Sequence, residues 1–522
     1  MSSMKRKGVL NILLSVFYKI ITVAVGLLLP KLFITNYGSN LNGLQSSVTQ
    51  IFGYIALLEA GVGSSALQMM FAPAAKGERD KENSYISAVS RYYNKIGFIY
   101  FIVLFGISLI YALFVQVDVL SFFEVVIYVV ISGALTGINF FYLSKLKLII
   151  GAEGDEYIVS VLSTIVFLVS SAIKIILISL QFNIVLIQAI YLGINLVFTL
   201  VYYLIAKKKY KWLTFSAQPD YACVKQKNSV LVHKVASLIF QNIDILLLTV
   251  FCDLETVSIY TIYKMVVNTV NSLVATFGDS LNFIFGQKFN TEESSDKPKY
   301  KKIIDTFNVY YSGVAFSLYT VMFILMIPFV RLYTSDFDIQ YVYLFLPWLY
   351  ISIEVLTVGR EAMLRTIDVA GHFKKTQWRA VTEAIINLVV SIVAILIFKR
   401  LYGNIGGLYG ALTGTIVAML YRTIDINIYA NKRILNRKPW KSFWCIFSNI
   451  LTFAIIYFGM SFINISFNSY GDILLKGMLI GVIVLLLYVL IQSLLNPKEF
   501  KTVTGYMKSK IAGLRSKKRR EI

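Results

Sequence analysis

The chain has 522 residues, 57% of them hydrophobic and only 15% charged, with a mean hydropathy of +0.69. Soluble domains carry about a quarter charged residues and are seldom so apolar, so composition excludes an ordinary water-soluble domain. The formal net charge of +22 invites a nucleic-acid reading, which the placement of the charges removes.

Crossing a hydrocarbon core of ~30 Å takes about 20 apolar residues. Such runs recur fourteen times in chain order, near 8–35, 43–69, 95–115, 119–142, 157–180, 183–206, 229–251, 257–285, 303–330, 339–364, 379–398, 404–428, 443–464 and 471–495. The first is too long for a signal-peptide core and lacks a small-residue cleavage site, so it reads as a retained span. These runs predict an all-α polytopic membrane protein of about fourteen transmembrane helices.

Threading the spans from a cytoplasmic N-terminus places most cations on the inside. They include Lys5 to Lys7, Lys207 to Lys209, Lys299, Lys301, Lys302, and Lys517 to Arg520. The outer loops and their edges keep only Lys31, Arg331, Lys399 and Arg400. This is the positive-inside asymmetry, and it puts both termini in the cytoplasm. The basic tail after Pro497 then has the anionic inner leaflet as its partner, not nucleic acid. Cys223, Cys252 and Cys445 show no zinc or redox spacing. No triad, metal cluster or Gly-rich phosphate loop stands out, and the outer loops are short. The expectation is a non-enzyme with no catalytic residue, metal or organic cofactor.

A shift of about 217 residues lays the first six spans on the next six. "GAEGDEYIVSVLS", from Gly151, falls on "AGHFKKTQWRAVT", from Ala370, and Gly154 and Gly371 stand 217 positions apart. Six spans is an even number, so the halves enter from the same side and form parallel repeats. The expected organisation is an N-lobe over 1–210, a C-lobe over 211–430, two appended spans over 431–497, and a basic tail over 498–522.

Charged residues within spans are costly, and they mark a bundle interior or a water-filled cavity. Lys19 in span 1 and Glu59 in span 2 fall at one depth. Asp244 in span 7 and Lys264 in span 8 share another, and Lys174 in span 5 lies at a similar level. Each pair reads equally as a structural ion pair. Read functionally, Lys19, Lys174 and Lys264 are cavity cations that could hold a phosphate. Glu59 and Asp244 are then ion-pair or coupling carboxylates. Arg360, Glu361, Glu383, Arg422 and Asp425 crowd the inner ends of spans 10 to 12, where a salt-bridge network could close an inward gate.

Four stretches carry a family resemblance: "IALLEAGVGSSALQ" from Ile55, "RLYTSDFDIQYVYLFLPWLYI" from Arg331, "AGHFKKTQWRAVTEAIINLVVSIVAI" from Ala370, and "GNIGGLYGALTGTIVAML" from Gly403. With the 6+6+2 layout, they resemble the polysaccharide flippases of the multidrug/oligosaccharidyl-lipid/polysaccharide (MOP) exporter superfamily over essentially the whole chain. The resemblance implies export of an undecaprenyl-diphosphate-linked oligosaccharide across a bacterial cytoplasmic membrane, for capsule, exopolysaccharide or another surface glycan. It implies alternating access, with H⁺ or Na⁺ as the candidate coupling ion. A glycan polymerase is a candidate partner, and the expected state is a monomer. Lipid II or teichoic-acid-type flippases and cation-coupled drug exporters of the same superfamily stay open as alternatives. Similar flippases place basic residues in the cavity. Drug exporters tend to carry an acidic residue in the lobe where this chain has Lys19, which argues against a cationic drug.

Overall fold

The computed structural model describes residues 2–55, 57–115, 117, 119–224, 243–279, 285, 289, 298–463 and 465–501. Every regular element among them is helical. In chain order these are α1 Ser2–Ile55, α2 Leu57–Lys76, α3 Arg79–Phe114, α4 Phe122–Phe141, α5 Leu143–Ala152, α6 Glu156–Ser179 and α7 Ile184–Lys209. After a 3₁₀ turn at Tyr221–Val224 come α8 (243–251), α9 Leu254–Asp279, α10 Pro298–Tyr333, α11 Leu346–Val369, α12 Phe373–Arg433, α13 Trp440–Ser461 and α14 Tyr470–Leu495. Eight helices among the described residues are long and apolar enough to cross a membrane.

Two elements hold more than one span. The 61-residue α12 breaks at Gly403 (φ 68°, ψ −157°), and α1 breaks at Gly38 (φ 83°, ψ 171°). Only glycine takes such a φ without a Cβ penalty. The helix resumed after Gly38 is capped by Asp338, which accepts from the Ser39 backbone N–H at 2.7 Å and from the Ser39 hydroxyl. A carboxylate there satisfies an orphan donor and meets the positive helix end.

Contacts divide the chain into two compact units, Met1–Thr261 with Asp336–Gln340 and Ile262–Ser335 with Tyr341–Ile522. In the first, Phe33, Leu44, Val48, Phe52, Tyr100 and Tyr128 form the centre of one core, and Val62, Met70, Tyr85, Tyr93 and Ile149 that of another. The second has a core around Phe285, Tyr300, Ile304, Met363 and Ile426. In this unit α13 and α14 both pack on α10. Their seam is polar: Gln492 donates to Thr452 (2.9 Å), Asn496 to Gln492 (2.7 Å), and Thr320 and Tyr488 pair at 3.0 Å. Leu474, Leu479 and Leu486 on α14 are each 62–63% exposed. Polar inside and apolar outside is the pattern of a protein solvated by lipid, where interhelical hydrogen bonds act as glue. The chain is an all-α multi-pass membrane protein.

The repeat is written into the turns. At the end of α5, the N–H groups of Glu153, Gly154 and Asp155 donate to Ile149, Gly151 and Ile150. At the end of α11, Ala370, Gly371 and His372 donate to Thr366, Asp368 and Ile367, each bond displaced by the same 217 positions. Gly154 (φ 73°) and Gly371 (φ 68°) occupy the left-handed position that ends a helix this way. The residue after each glycine also meets a tyrosine. Tyr210 donates to Asp155 at 2.7 Å, and Tyr429 pairs with His372 Nδ1 at 3.2 Å.

Burial opposes ionisation of Asp155, but hydrogen bonds from Lys209 (2.7 Å) and Tyr210 outweigh it and hold the carboxyl below the usual range. A depressed carboxylate stabilises above its unfolded pKa of about 3.9, and loses that contribution as pH falls through its folded value. Asp155→Asn is therefore expected to lower the Tm of the detergent-solubilised protein at pH 7, by at most about 1 kcal/mol for so exposed a pair. The gap to wild type should close as the pH falls through the depressed folded value, and a gap independent of pH would refute the assignment.

Candidate functional site

In the first unit, α6 is an apolar helix with one polar stripe. Ser170 and Ser171 are buried, whereas Ile176 on another face is 56% exposed. Lys174, one turn beyond Ser170, is half-buried. Its Nζ donates to Gln45 Oε1 of α1 at 3.4 Å and lies 5.6 Å from the centroid of the Tyr191 ring of α7. Among the described residues no carboxylate pairs with it. Among those residues an amide oxygen and an aromatic face hold this ammonium.

Asp244 on α8 is 3% exposed and accepts from Tyr260 Oη at 3.2 Å. Tyr54 lies within electrostatic reach. Lys19 and Glu59 lie on helical backbone, but their side chains fall outside the described residues. Asp244 belongs to the first unit and Lys264 to the second.

In the second unit, Lys264 on α9 is half-buried and within electrostatic reach of Glu354 on α11. Glu354 is 4% exposed and accepts from Asn271 Nδ2 at 3.0 Å, while Tyr319 Oη donates to Asn271 Oδ1 at 2.7 Å. Sequence reasoning missed this glutamate. The signal was a carboxylate two turns before Glu361, inside the apolar run 339–364.

The charges at the end of α11 and in α12 form a chain of ion pairs. Glu383 takes Arg360 Nη1 on one oxygen at 2.6 Å and Arg422 Nε on the other at 3.2 Å. Arg422 also reaches Asp425 at 3.0 Å, and Asp425 accepts from Arg379. The Arg422 and Glu383 side chains are only 7% and 9% exposed. Four of the five expected residues come together. Glu361 pairs instead with Arg365 one turn along α11, at 2.8 Å. Arg379 was not anticipated, because only the three-dimensional path of α12 brings it to Asp425.

The two halves of α12 form a hairpin. Asn387 Nδ2 donates to Thr415 Oγ1 at 3.1 Å, and Ser391 Oγ to the Ala411 carbonyl at 3.3 Å. Gly406, Gly410 and Gly414 recur every four residues along the second half. A Cβ on them would meet Phe398 O at 2.0 Å, the Ala394 carbonyl carbon at 2.5 Å, and Ser391 Cα at 2.5 Å. Small residues on one face are what lets two membrane helices approach to backbone contact.

No family model matches the sequence, and no curated protein matches it. Solved structures do match by fold. A lipid II flippase, MurJ, in an inward closed conformation superposes with a TM-score of 0.63 and 14% identity, over 92% of this chain and 98% of its own. An inward-facing multidrug resistance MATE family transporter of the MOP superfamily superposes with a TM-score of 0.60 and 15% identity, over 78% of this chain and 95% of its own. The chain shares its fold with this flippase and this transporter, the architecture expected from the sequence. At this level of identity the likeness concerns fold.

Proposed function

We propose that this chain is a MOP-superfamily flippase of a bacterial cytoplasmic membrane that moves an undecaprenyl-diphosphate-linked oligosaccharide outward by alternating access. The observation that carries the reading is Lys174, a half-buried ammonium held by Gln45 and Tyr191 with no carboxylate partner among the described residues. Such a group is poised for an anion that comes and goes. A diphosphate supplies that anion, and a lysine holds it as a compact point charge. Lys19 is a further cation of this site, and Lys264 is the substrate-binding cation proposed for the second unit.

Asp244 and Glu354 are the carboxylates through which H⁺ or Na⁺ would couple to transport, since buried ionisable groups mark ion pathways. The Arg360–Glu383–Arg422–Asp425 chain serves as the inward gate. The protein works as a monomer, and a glycan polymerase receives its product.

The test is reconstitution of the purified chain into liposomes with a lipid-linked oligosaccharide, reading its appearance in the outer leaflet. Lys174→Met is expected to lower the initial rate at least about tenfold, the cost of one charge-assisted contact, while expression and Tm stay near wild type. Lys174→Arg should keep part of the rate. An unchanged rate in Lys174→Met would remove the lysine from the site. Transport of lipid II but not of the oligosaccharide would move the chain to the other flippase class.

A further inference from the structure

Beyond the transport site, the second unit holds a cavity of about 580 Å³ where α10 and α13 begin and just past the end of α14. Lys301, Lys302, Arg437, Lys438, Lys441 and Lys498 line it. Against these six cations stand two carboxylates, Asp305 and Glu499, a surplus of four positive charges. Asp305 is already engaged: Arg437 holds it by two bonds of 2.6 and 2.8 Å, and Lys441 lies at 3.1 Å. Lys441 also lies 3.8 Å from Glu499.

The cavity is not uniformly polar. Trp440, 71% exposed, and Pro298 form part of its wall. It shares Asp305, Lys441, Lys498 and Glu499 with a second cavity of about 240 Å³. That one runs along the same helices and adds the apolar Val309, Trp444, Cys445, Leu495 and Pro497, with the amides Asn308 and Asn496, to the lining. A cationic mouth therefore opens onto an apolar cleft at the ends of three hydrophobic helices.

We propose that this cavity is a binding site for an anionic phospholipid of the membrane, with its phosphate among the lysines and the start of its acyl chains along Val309, Trp444 and Leu495. Three features select that occupant. The excess of cations over carboxylates in the lining favours an anion. The adjoining apolar cleft would serve a lipid, whereas inorganic phosphate has no use for it. The mouth lies at the ends of α13 and α14, and the ends of membrane helices are where headgroups and anchoring tryptophans are found. Lys498 and Glu499 bring the start of the C-terminal tail to this site.

The test is native mass spectrometry of the full chain released from detergent micelles containing phosphatidylglycerol or phosphatidylcholine, in the presence and absence of millimolar inorganic phosphate. Wild type is expected to retain phosphatidylglycerol in preference to phosphatidylcholine and in the presence of phosphate. In Lys302→Gln/Lys438→Gln/Lys498→Gln that retention should fall at least about tenfold, since each basic residue near an anionic surface contributes measurably. Lys207→Gln/Lys208→Gln, a control in the other unit, should leave it unchanged. Equal retention by the triple variant and wild type would overturn the proposal. So would equal retention of the two lipids. Displacement by millimolar phosphate would assign the site to a free anion instead. If the triple variant fails to purify as a single species, Lys438→Gln alone carries the same comparison. None of these readings depends on transport, so the site can fail while the flippase reading stands.

Discussion

Replacing Gly414 with valine is expected to be among the most damaging single changes in this protein. A Cβ at this position would sit 2.5 Å from both Ser391 Cα and Ser391 N, which are backbone atoms that cannot rotate aside. The two halves of α12 would have to separate, and with them the Asn387–Thr415 and Ser391–Ala411 hydrogen bonds. Overpacking a close-packed interface costs about 1–3 kcal/mol, and more when backbone must move. Loss of the two interhelical bonds adds about 1 kcal/mol. The measurement is the Tm and yield of the detergent-purified protein. Gly481→Ala supplies the control: its Cβ would meet nothing within 4 Å, so helix propensity favours the change by about 0.5–1 kcal/mol. Equal effects at the two positions would contradict the close approach of the α12 hairpin.

Loss of Glu383 should be of similar size for an electrostatic reason. Its two oxygens serve Arg360 and Arg422, and the Arg422 side chain is only 7% exposed. Glu383→Leu removes the anion between two guanidiniums and leaves Arg422 with Asp425 alone. Breaking a buried pair from one side costs about 3–5 kcal/mol, whereas replacing both partners by apolar residues is often neutral. Glu383→Leu is expected to lower Tm sharply, and Arg360→Met with Glu383→Leu to recover the part of the loss that comes from stranding Arg360. The same double variant tests the proposed gate. If the chain of ion pairs only stabilises the fold, the rescued protein should transport at the wild-type rate. If it holds an inward gate shut, the rescued protein should be stable but altered in rate or in accessibility to a cytoplasmic thiol probe. Independence of the two substitutions in Tm would contradict the shared carboxylate.

The sequence by itself determined what depends on composition and on periodic spacing. Long apolar runs require helices, because only a helix satisfies its own backbone in lipid. The 217-residue shift carried the repeat, and the structure repeats even the three hydrogen bonds that end α5 and α11. The glycines at 406, 410 and 414 stood within the Gly-rich stretch that follows Gly403. Pairs three or four positions apart, such as Arg422–Asp425 and Glu361–Arg365, follow from helix geometry alone. The tertiary structure decided which distant groups meet. Crowded charges at the inner ends of spans 10 to 12 did not reveal that Glu383 lies between Arg360 and Arg422. Nor did they show that Arg379 joins through Asp425 while Glu361 turns away. Glu354 passed as one residue of an apolar run until Asn271 and Tyr319 were seen around it. Lys174 met Gln45, 129 positions away. The reason is rotational. Hydrophobicity fixes where a helix crosses the membrane, but the azimuth of each side chain is set by close packing against its neighbours, and a rotation of one residue about the helix axis exchanges every partner.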